Sequence, residues 1–366
     1  MSGSTWDILV LCGASAAMTA VICYWAGPIG RFIGLIDEPD GDRRFHAQAT
    51  PLMGGPAVLV PALTASFVCY AKLPFSPIML FALAATVAAF VIGVLDDRHE
   101  LSAVLRVGLL TATIIAVLIF DPLFVLHTLA FKIFGLTLSV TVPNILAAPF
   151  VVLMMLGFVN AANMADGMNG QLLGSVMLWS AFIVHYMGFY AGLPFVFLIC
   201  SAMVALVFNL RGKLFTGSSG AYAASLFVGF GAIAAYRLGN GYMAAQVPVY
   251  WFWLPVLDCV RLMASRIMNG QSPFAADRDH FHHLLLESMR PSRALALYLV
   301  LLAAPGVAAM FGEGLASTIL VLCVVFYCAF LAATRGRLDV GRLHPRLAKF
   351  EGTVPRQRRK SGPVAN

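Results

Sequence analysis

Eleven apolar stretches punctuate this chain, near 6–30, 55–71, 77–95, 104–120, 144–160, 171–188, 193–210, 220–238, 248–266, 294–311 and 315–333. About 20 apolar residues in a helix span the hydrocarbon of a bilayer, where every backbone polar group must be satisfied internally. The chain is therefore expected to be an all-α integral membrane protein, a polytopic bundle of about 11 (10–11) transmembrane helices. Composition agrees: 60% of the 366 residues are hydrophobic and only 11% are charged, against roughly 25% in a soluble domain. A soluble enzyme, a disordered chain and a fibrous repeat are excluded. One membrane domain over 1–333 is expected, followed by a basic tail over 334–366. The first stretch does not read as a signal peptide: nothing basic precedes it, and Asp7 is acidic.

Charge gives the orientation. With the N-terminus outside, eleven spans place the C-terminus inside, and twenty-one of the 24 Lys and Arg residues fall on the inner side, leaving Lys72, Lys132 and Arg237 outside. That asymmetry is the positive-inside pattern. The net charge of +7 thus follows topology. Anionic lipids are the expected partner of the tail, and nucleic acid is not. The segment 121–143 is apolar but broken by Pro122, His127, Lys132 and Pro143. It is read as an outer excursion, a hairpin at the interface. The seven cysteines form no CxxC or Cys/His cluster and read as small hydrophobes.

Dense polar sequence sits on the inner side alone, in 37–55, 95–106, 160–170, 211–220 and 266–285. Asp96 and Asp97 close an apolar run. Adjacent carboxylates repel, and a divalent cation relieves the repulsion; Mg²⁺ prefers one or two carboxylates plus substrate phosphates. Solvated acids at a helix end are the plainer alternative. Asn160, Asn163 and Asp166 recur at a spacing of three, one helical face, before Gly167 and Gly170. Glycines there let a backbone approach a phosphate, although a polar turn reads the same way. His280, His282 and His283 lack the partners of a zinc site and, beside Arg278, suit an anionic phosphate. Arg44 and His46 precede a Pro/Gly segment leading into the second span and add one wall of an anion site. Asp258 is an intramembrane acid with Arg261 three residues on; an ion pair and a catalytic part both fit.

In order and spacing, DEPDGDRRFHAQATPLMGG, GVLDDR, NAANMADGMNG, LFTGSSG, LPVLD and SPFAADRDHFHHLL resemble the polyprenyl-phosphate N-acetylhexosamine-1-phosphate transferases, the MraY/WecA superfamily. The resemblance covers about residues 6–333, and the His-rich loop looks like the WecA-like branch. It implies a Mg²⁺-dependent enzyme (Mn²⁺ as a substitute) in a bacterial cytoplasmic membrane, with its site facing the cytoplasm and a homodimer as one possible assembly. Such an enzyme transfers a sugar 1-phosphate from a UDP-N-acetylhexosamine to undecaprenyl phosphate, releases UMP and starts a lipid-linked glycan such as an O-antigen. By position, Asp96 and Asp97 are implied in catalysis and, with Asp166, in metal binding. Arg44, His46, Asn160, Asn163, Asp166, Arg278, His280, His282 and His283 are implied in substrate binding.

Two departures stand out. Where the family reads F-x-G-D-x-G-S, this chain has Phe215-Thr216-Gly217-Ser218-Ser219-Gly220-Ala221, so Ser218 occupies a magnesium ligand's position. The family's DGxDG becomes Asp166-Gly167-Met168-Asn169-Gly170. Either the remaining acids hold the metal, or the chain is a weakened or inactive homologue that binds polyprenyl phosphate or a partner.

Overall fold

The computed structural model describes residues 3–38, 49–72, 79–133, 135–239, 243–272 and 279–343. The chain opens with α1 (Gly3–Tyr24) and α2 (Ala26–Ile33), and a short β1 (Ile36–Asp37) pairs with β2 (Thr50–Pro51). Then come α3 (Gly54–Lys72), α4 (Leu80–His99), α5 (Ala103–Phe120), the hairpin β3 (Thr128–Ile133) and β4 (Leu136–Thr141), and α6 (Asn144–Ala165). The remainder is α7 (Gln171–Met187), α8 (Leu193–Asn209), α9 (Gly217–Leu238), α10 (Val247–Met268), α11 (Phe281–Ser288), α12 (Pro291–Ala309) and α13 (Glu313–Leu343). Contacts divide the chain into Met1–Val321 and Leu322–Asn366, a boundary inside α13.

Each of the eleven expected stretches is helical. Nine of these helices are long and apolar enough to cross a membrane, and α7 and α8, at 17 residues, are shorter apolar helices. Seventeen residues still rise about 25 Å. The protein is an all-α polytopic membrane protein, with two small two-stranded sheets among the described residues. The first stretch is not continuous, because the helix restarts at Ala26. Pro28 has no N–H to offer Tyr24, and a proline there breaks the ladder.

The middle of the bundle is α9. Every residue from Ser219 to Ala235 is buried, and α3, α4, α6, α7 and η-turn residues 122–124 pack against it. Its sequence, GSSGAYAASLFVGFGAIAAYRL, is rich in small residues. Where lipid removes the hydrophobic drive between helices, small side chains allow the close backbone contact that holds them together. The tightest contacts involve glycine. A Cβ on Gly93 of α4 would lie 2.3 Å from Ser219 Cα, and one on Gly55 of α3 would lie 2.4 Å from Gly220 N.

The expected hairpin over 121–143 is a β-hairpin. Its register, Leu129↔Val140 and Phe131↔Leu138 against Thr128↔Thr141, Ala130↔Ser139 and Lys132↔Thr137, gives it one apolar and one polar face, since cross-strand partners share a face. It is bound to the ends of α9 and α10: Ala130 N donates to Tyr236 Oη at 2.8 Å, and Ala245 N to Ala130 O at 2.7 Å. The apolar face is uncovered, with Leu136 75%, Leu138 56% and Val140 43% exposed. Joined closely to two spans, such a face is expected to rest on acyl chains. A nitroxide at position 138 should collide more with lipid-soluble oxygen than with a water-soluble nickel chelate, and one at 137 the reverse. Equal preference at the two positions would rule out a lipid-facing side.

Candidate active site

The inner-loop motifs meet at one end of the bundle because the start of α9 lies beside the ends of α3, α4 and α6. Residues 51–55 run against 215–216 through backbone bonds: Phe215 N to Pro51 O at 2.9 Å, Gly54 N to Phe215 O at 2.8 Å and Gly55 N to Thr216 O at 2.9 Å. Gly217 takes φ +70°, a left-handed conformation that glycine adopts without strain. Its missing side chain also leaves room for Asp97, whose Oδ2 would stand 2.7 Å from a Cβ there.

Asp97, in the last turn of α4, caps α9. Its Oδ1 accepts Ser218 N at 2.7 Å and its Oδ2 accepts Ser219 N at 3.0 Å. Orphan amides and the positive end of the helix dipole both favour a carboxylate at this place. Asp96 turns elsewhere, as neighbours on a helix must. It is buried, accepts the Tyr222 hydroxyl at 2.7 Å and pairs with Arg106 Nη1 at 3.4 Å. The two adjacent acids therefore have separate environments.

Asp166 caps the end of α6, its N–H bonded to Asn163 O at 3.2 Å. Desolvation pushes its carboxyl up to about 7, with the Asp97 charge adding to the shift, while the Thr216 side chain and the Leu172 amide pull it down. Asp166 thus meets Thr216, just before α9, while Asp97 holds the amides of Ser218 and Ser219, so both acids lie at the mouth of α9. Asn160 turns back onto its own helix, donating to Leu156 O at 2.8 Å. Asn209, which sequence reasoning missed, holds the two loops: its Oδ1 accepts Gly170 N at 2.5 Å and its Nδ2 donates to Leu214 O at 2.9 Å.

The histidine loop closes on the same centre. His280 and His282 are buried, and their rings stack with centroids 5.3 Å apart. The His282 ring lies on Gly167, where a Cβ would stand 1.8 Å from Nε2. Burial first, then the neighbouring imidazoles His283 and His280, hold the His282 pKa well below its usual value, while Asp258 acts in the opposite direction. A buried neutral imidazole results, its Nε2 without a hydrogen-bond partner among the described residues. The His283 ring lies beside it, centroids 4.2 Å apart and tilted by 48°. Asp258 and Arg261 form an ion pair at 2.8 Å. Arg44, His46 and Arg278 lie outside the described residues.

The donors suit a hard cation. Among the described residues no three His, Cys, Asp or Glu side chains cluster as a metal site, so a protein-only cage is not built. Two carboxylates, Asp97 and Asp166, with hydroxyls near them, match the few-ligand habit of Mg²⁺, which relies on substrate phosphates for the rest. The raised Asp166 carboxyl is what a cation at this place would relieve.

Residues 79–236 match glycosyl transferase family 4. The chain is 30% identical over 336 residues to an undecaprenyl-phosphate alpha-N-acetylglucosaminyl 1-phosphate transferase of Escherichia coli O157:H7, covering 86% of each. It is similar at 30% to a protein of the same name from Escherichia coli strain K12, over 85% of this chain and 86% of that one. A probable undecaprenyl-phosphate N-acetylglucosaminyl 1-phosphate transferase of Bacillus subtilis strain 168 is also 30% identical, over 73% of this chain and 75% of the relative. Such identity, held across nearly the whole length of both chains, places this protein in the family of undecaprenyl-phosphate sugar 1-phosphate transferases, within glycosyl transferase family 4.

Proposed function

We propose that the protein transfers an N-acetylhexosamine 1-phosphate from a UDP-sugar to undecaprenyl phosphate at the cytoplasmic face of a bacterial inner membrane, releasing UMP and starting a lipid-linked glycan. The observation that carries this reading is the gathering of Asp97, on the amides of Ser218 and Ser219, and Asp166, on Thr216, at the start of α9, with the histidine loop over Gly167. In the reaction an oxygen of the lipid phosphate attacks the sugar-bearing phosphorus. The bond to the bridging oxygen breaks, and UMP leaves with that oxygen. Little covalent work falls to the protein; it must place the oxygens in line and offset crowded negative charge. His282 and His283, with Arg278, Arg44 and His46, supply donors to the phosphates, and His280 contacts the sugar. Asn163 and Asp166 line the nucleotide side.

Asp97 and Asp166 would hold Mg²⁺, with Asp96 behind them fixed by Tyr222 and Arg106. Bound there, the ion would offset phosphate charge. Cytoplasmic orientation is supported by twenty-one of 24 basic residues on the side of the site. The test is direct: purified protein with UDP-N-acetylglucosamine, undecaprenyl phosphate and Mg²⁺ should release UMP and form lipid-linked sugar. No UMP with any UDP-N-acetylhexosamine would overturn the reading.

Ser218 and Asn169 favour a second reading, a weakened homologue, and one substitution separates the two. Ser218 occupies the first turn of α9, its amide on Asp97. Ser218→Asp sets a second carboxylate there, favoured by the helix N-terminus by about 0.3–1 kcal/mol but repelled by Asp97 unless a cation lies between. An active wild type should then need less Mg²⁺ for half-maximal rate as Ser218→Asp. A wild type and variant that are both inactive would favour the weakened homologue.

A further inference from the structure

Asp258, on α10, is 6% exposed, and its carboxylate holds the histidine loop by three separate grips. Its Oδ2 stands 3.1 Å from His280 Nδ1. Both its oxygens face Phe281 N, at 3.2 and 3.3 Å. Its Oδ1 accepts Arg261 Nη2 at 2.8 Å and Nε at 3.3 Å. Arg261 in turn donates to the backbone carbonyl of Asp279. Residues 279, 280 and 281 are thus all tied to α10 through this one acid and its arginine.

We propose that Asp258 is a positioning residue for the transfer reaction, fixing the His280 ring in the Nδ1–H tautomer so that Nε2 is left as a hydrogen-bond acceptor for a hydroxyl or acetamido N–H of the sugar. The proposal rests on the reading of His280 as a substrate-binding residue, here on the sugar. Arg261 pairs with Asp258 at 2.8 Å, the ion pair of a carboxylate with a guanidinium. A carboxylate only accepts hydrogen bonds, so the imidazole nitrogen facing it must carry the proton, and the partner of one ring nitrogen sets the role of the other. The same carboxylate receives the first amide of α11, an N-terminal cap. Ring orientation and helix start are therefore set together, with His282 and His283 carried on the helix that follows. Asp258 lies 22 residues from His280 in sequence and acts through it.

Asp258→Asn tests this because it nearly preserves shape while changing chemistry. The amide oxygen can still cap Phe281, but its nitrogen is a donor. Facing His280 Nδ1, it favours an unprotonated Nδ1 and shifts the proton to Nε2, the wrong-tautomer effect of replacing a histidine's carboxylate partner by an amide. Protein labelled with ¹⁵N-histidine, in lipid nanodiscs at about pH 8.5 where an ordinary imidazole is neutral, reports the tautomer from its nitrogen shifts. His280→Gln assigns the signal. Wild type should be Nδ1–H and Asp258→Asn Nε2–H, with kcat/KM for the UDP-sugar lowered about 10–100-fold, as for loss of other orienting partners of histidine. A wild type in the Nε2–H form, or an unchanged tautomer in Asp258→Asn, overturns the proposal. So does a switched tautomer with unchanged kcat/KM. The wild-type spectrum is decisive even if the variant fails to fold. Because the spectrum needs no turnover, a protein that releases no UMP fails the functional reading separately.

Discussion

Asp97→Asn is expected to lower UMP release about 10²–10³-fold, the loss found on removing one charge-stabilising group from a preorganised site, while costing the fold far less. The carboxylate now accepts two amides at the start of α9, Ser218 N at 2.7 Å and Ser219 N at 3.0 Å. An Asn oxygen can accept only the nearer of these well, and its NH2 group then confronts the other amide. Losing one such cap costs roughly 1 kcal/mol. Rate and stability should therefore separate: a small drop in unfolding temperature, and a large drop in turnover. Asp96→Asn is expected to reverse the balance toward stability, because it leaves Arg106 without its carboxylate partner beside buried Tyr222. Turnover of Asp97→Asn near that of wild type would remove Asp97 from the reaction. A loss of folded protein in proportion to the loss of rate would reduce it to a cap.

The eleven spans were legible because membrane length and hydropathy act locally, residue by residue. The restart at Ala26 was legible too, in Pro28, but an apolar run reads as continuous when only hydropathy is weighed. The hairpin was visible in its interruptions, while its strand register depends on pairing and on the Tyr236 and Gln246 contacts from 106 and 114 residues away. The acids of the site were legible as polar residues out of place in an apolar chain. Their partners were not. Tyr222 and Arg106 look like ordinary span residues until α4, α5 and α9 are packed together. Asn209 gave a faint signal, an amide ending an apolar run, and it proves to clamp the loops 166–170 and 211–216. Asp258 was paired in sequence with Arg261 because that contact is one helical turn. Its contact with His280 is long-range, and no local spacing encodes it.

The glycine contacts make the strongest structural prediction. Gly93→Ala is expected to destabilise the protein by about 1–3 kcal/mol or more, the cost of overpacking a close contact, and to abolish most of the transfer activity. The added methyl would stand 2.3 Å from Ser219 Cα, 2.6 Å from Ser219 N and 2.7 Å from Ser218 O. All three are backbone atoms, so no side chain can rotate away, and α4 and α9 must separate. Gly93 is one turn before Asp97 on the same face of α4. Separation there draws the carboxylate off the amides of Ser218 and Ser219, which couples the packing defect to the site. Helix propensity acts in the opposite direction, since Ala is better than Gly in a helix interior by roughly 0.5–1 kcal/mol. Gly108→Ala in α5 and Gly157→Ala in α6 isolate that gain, because nothing lies within 4 Å of a Cβ at either position. Thermal unfolding in detergent, with UMP release beside it, should place both controls at or above wild type and Gly93→Ala well below in both readouts. If Gly93→Ala behaved like the controls, α4 and α9 would not be in backbone contact at this level. The placement of Asp97 on the helix start would then fail with it.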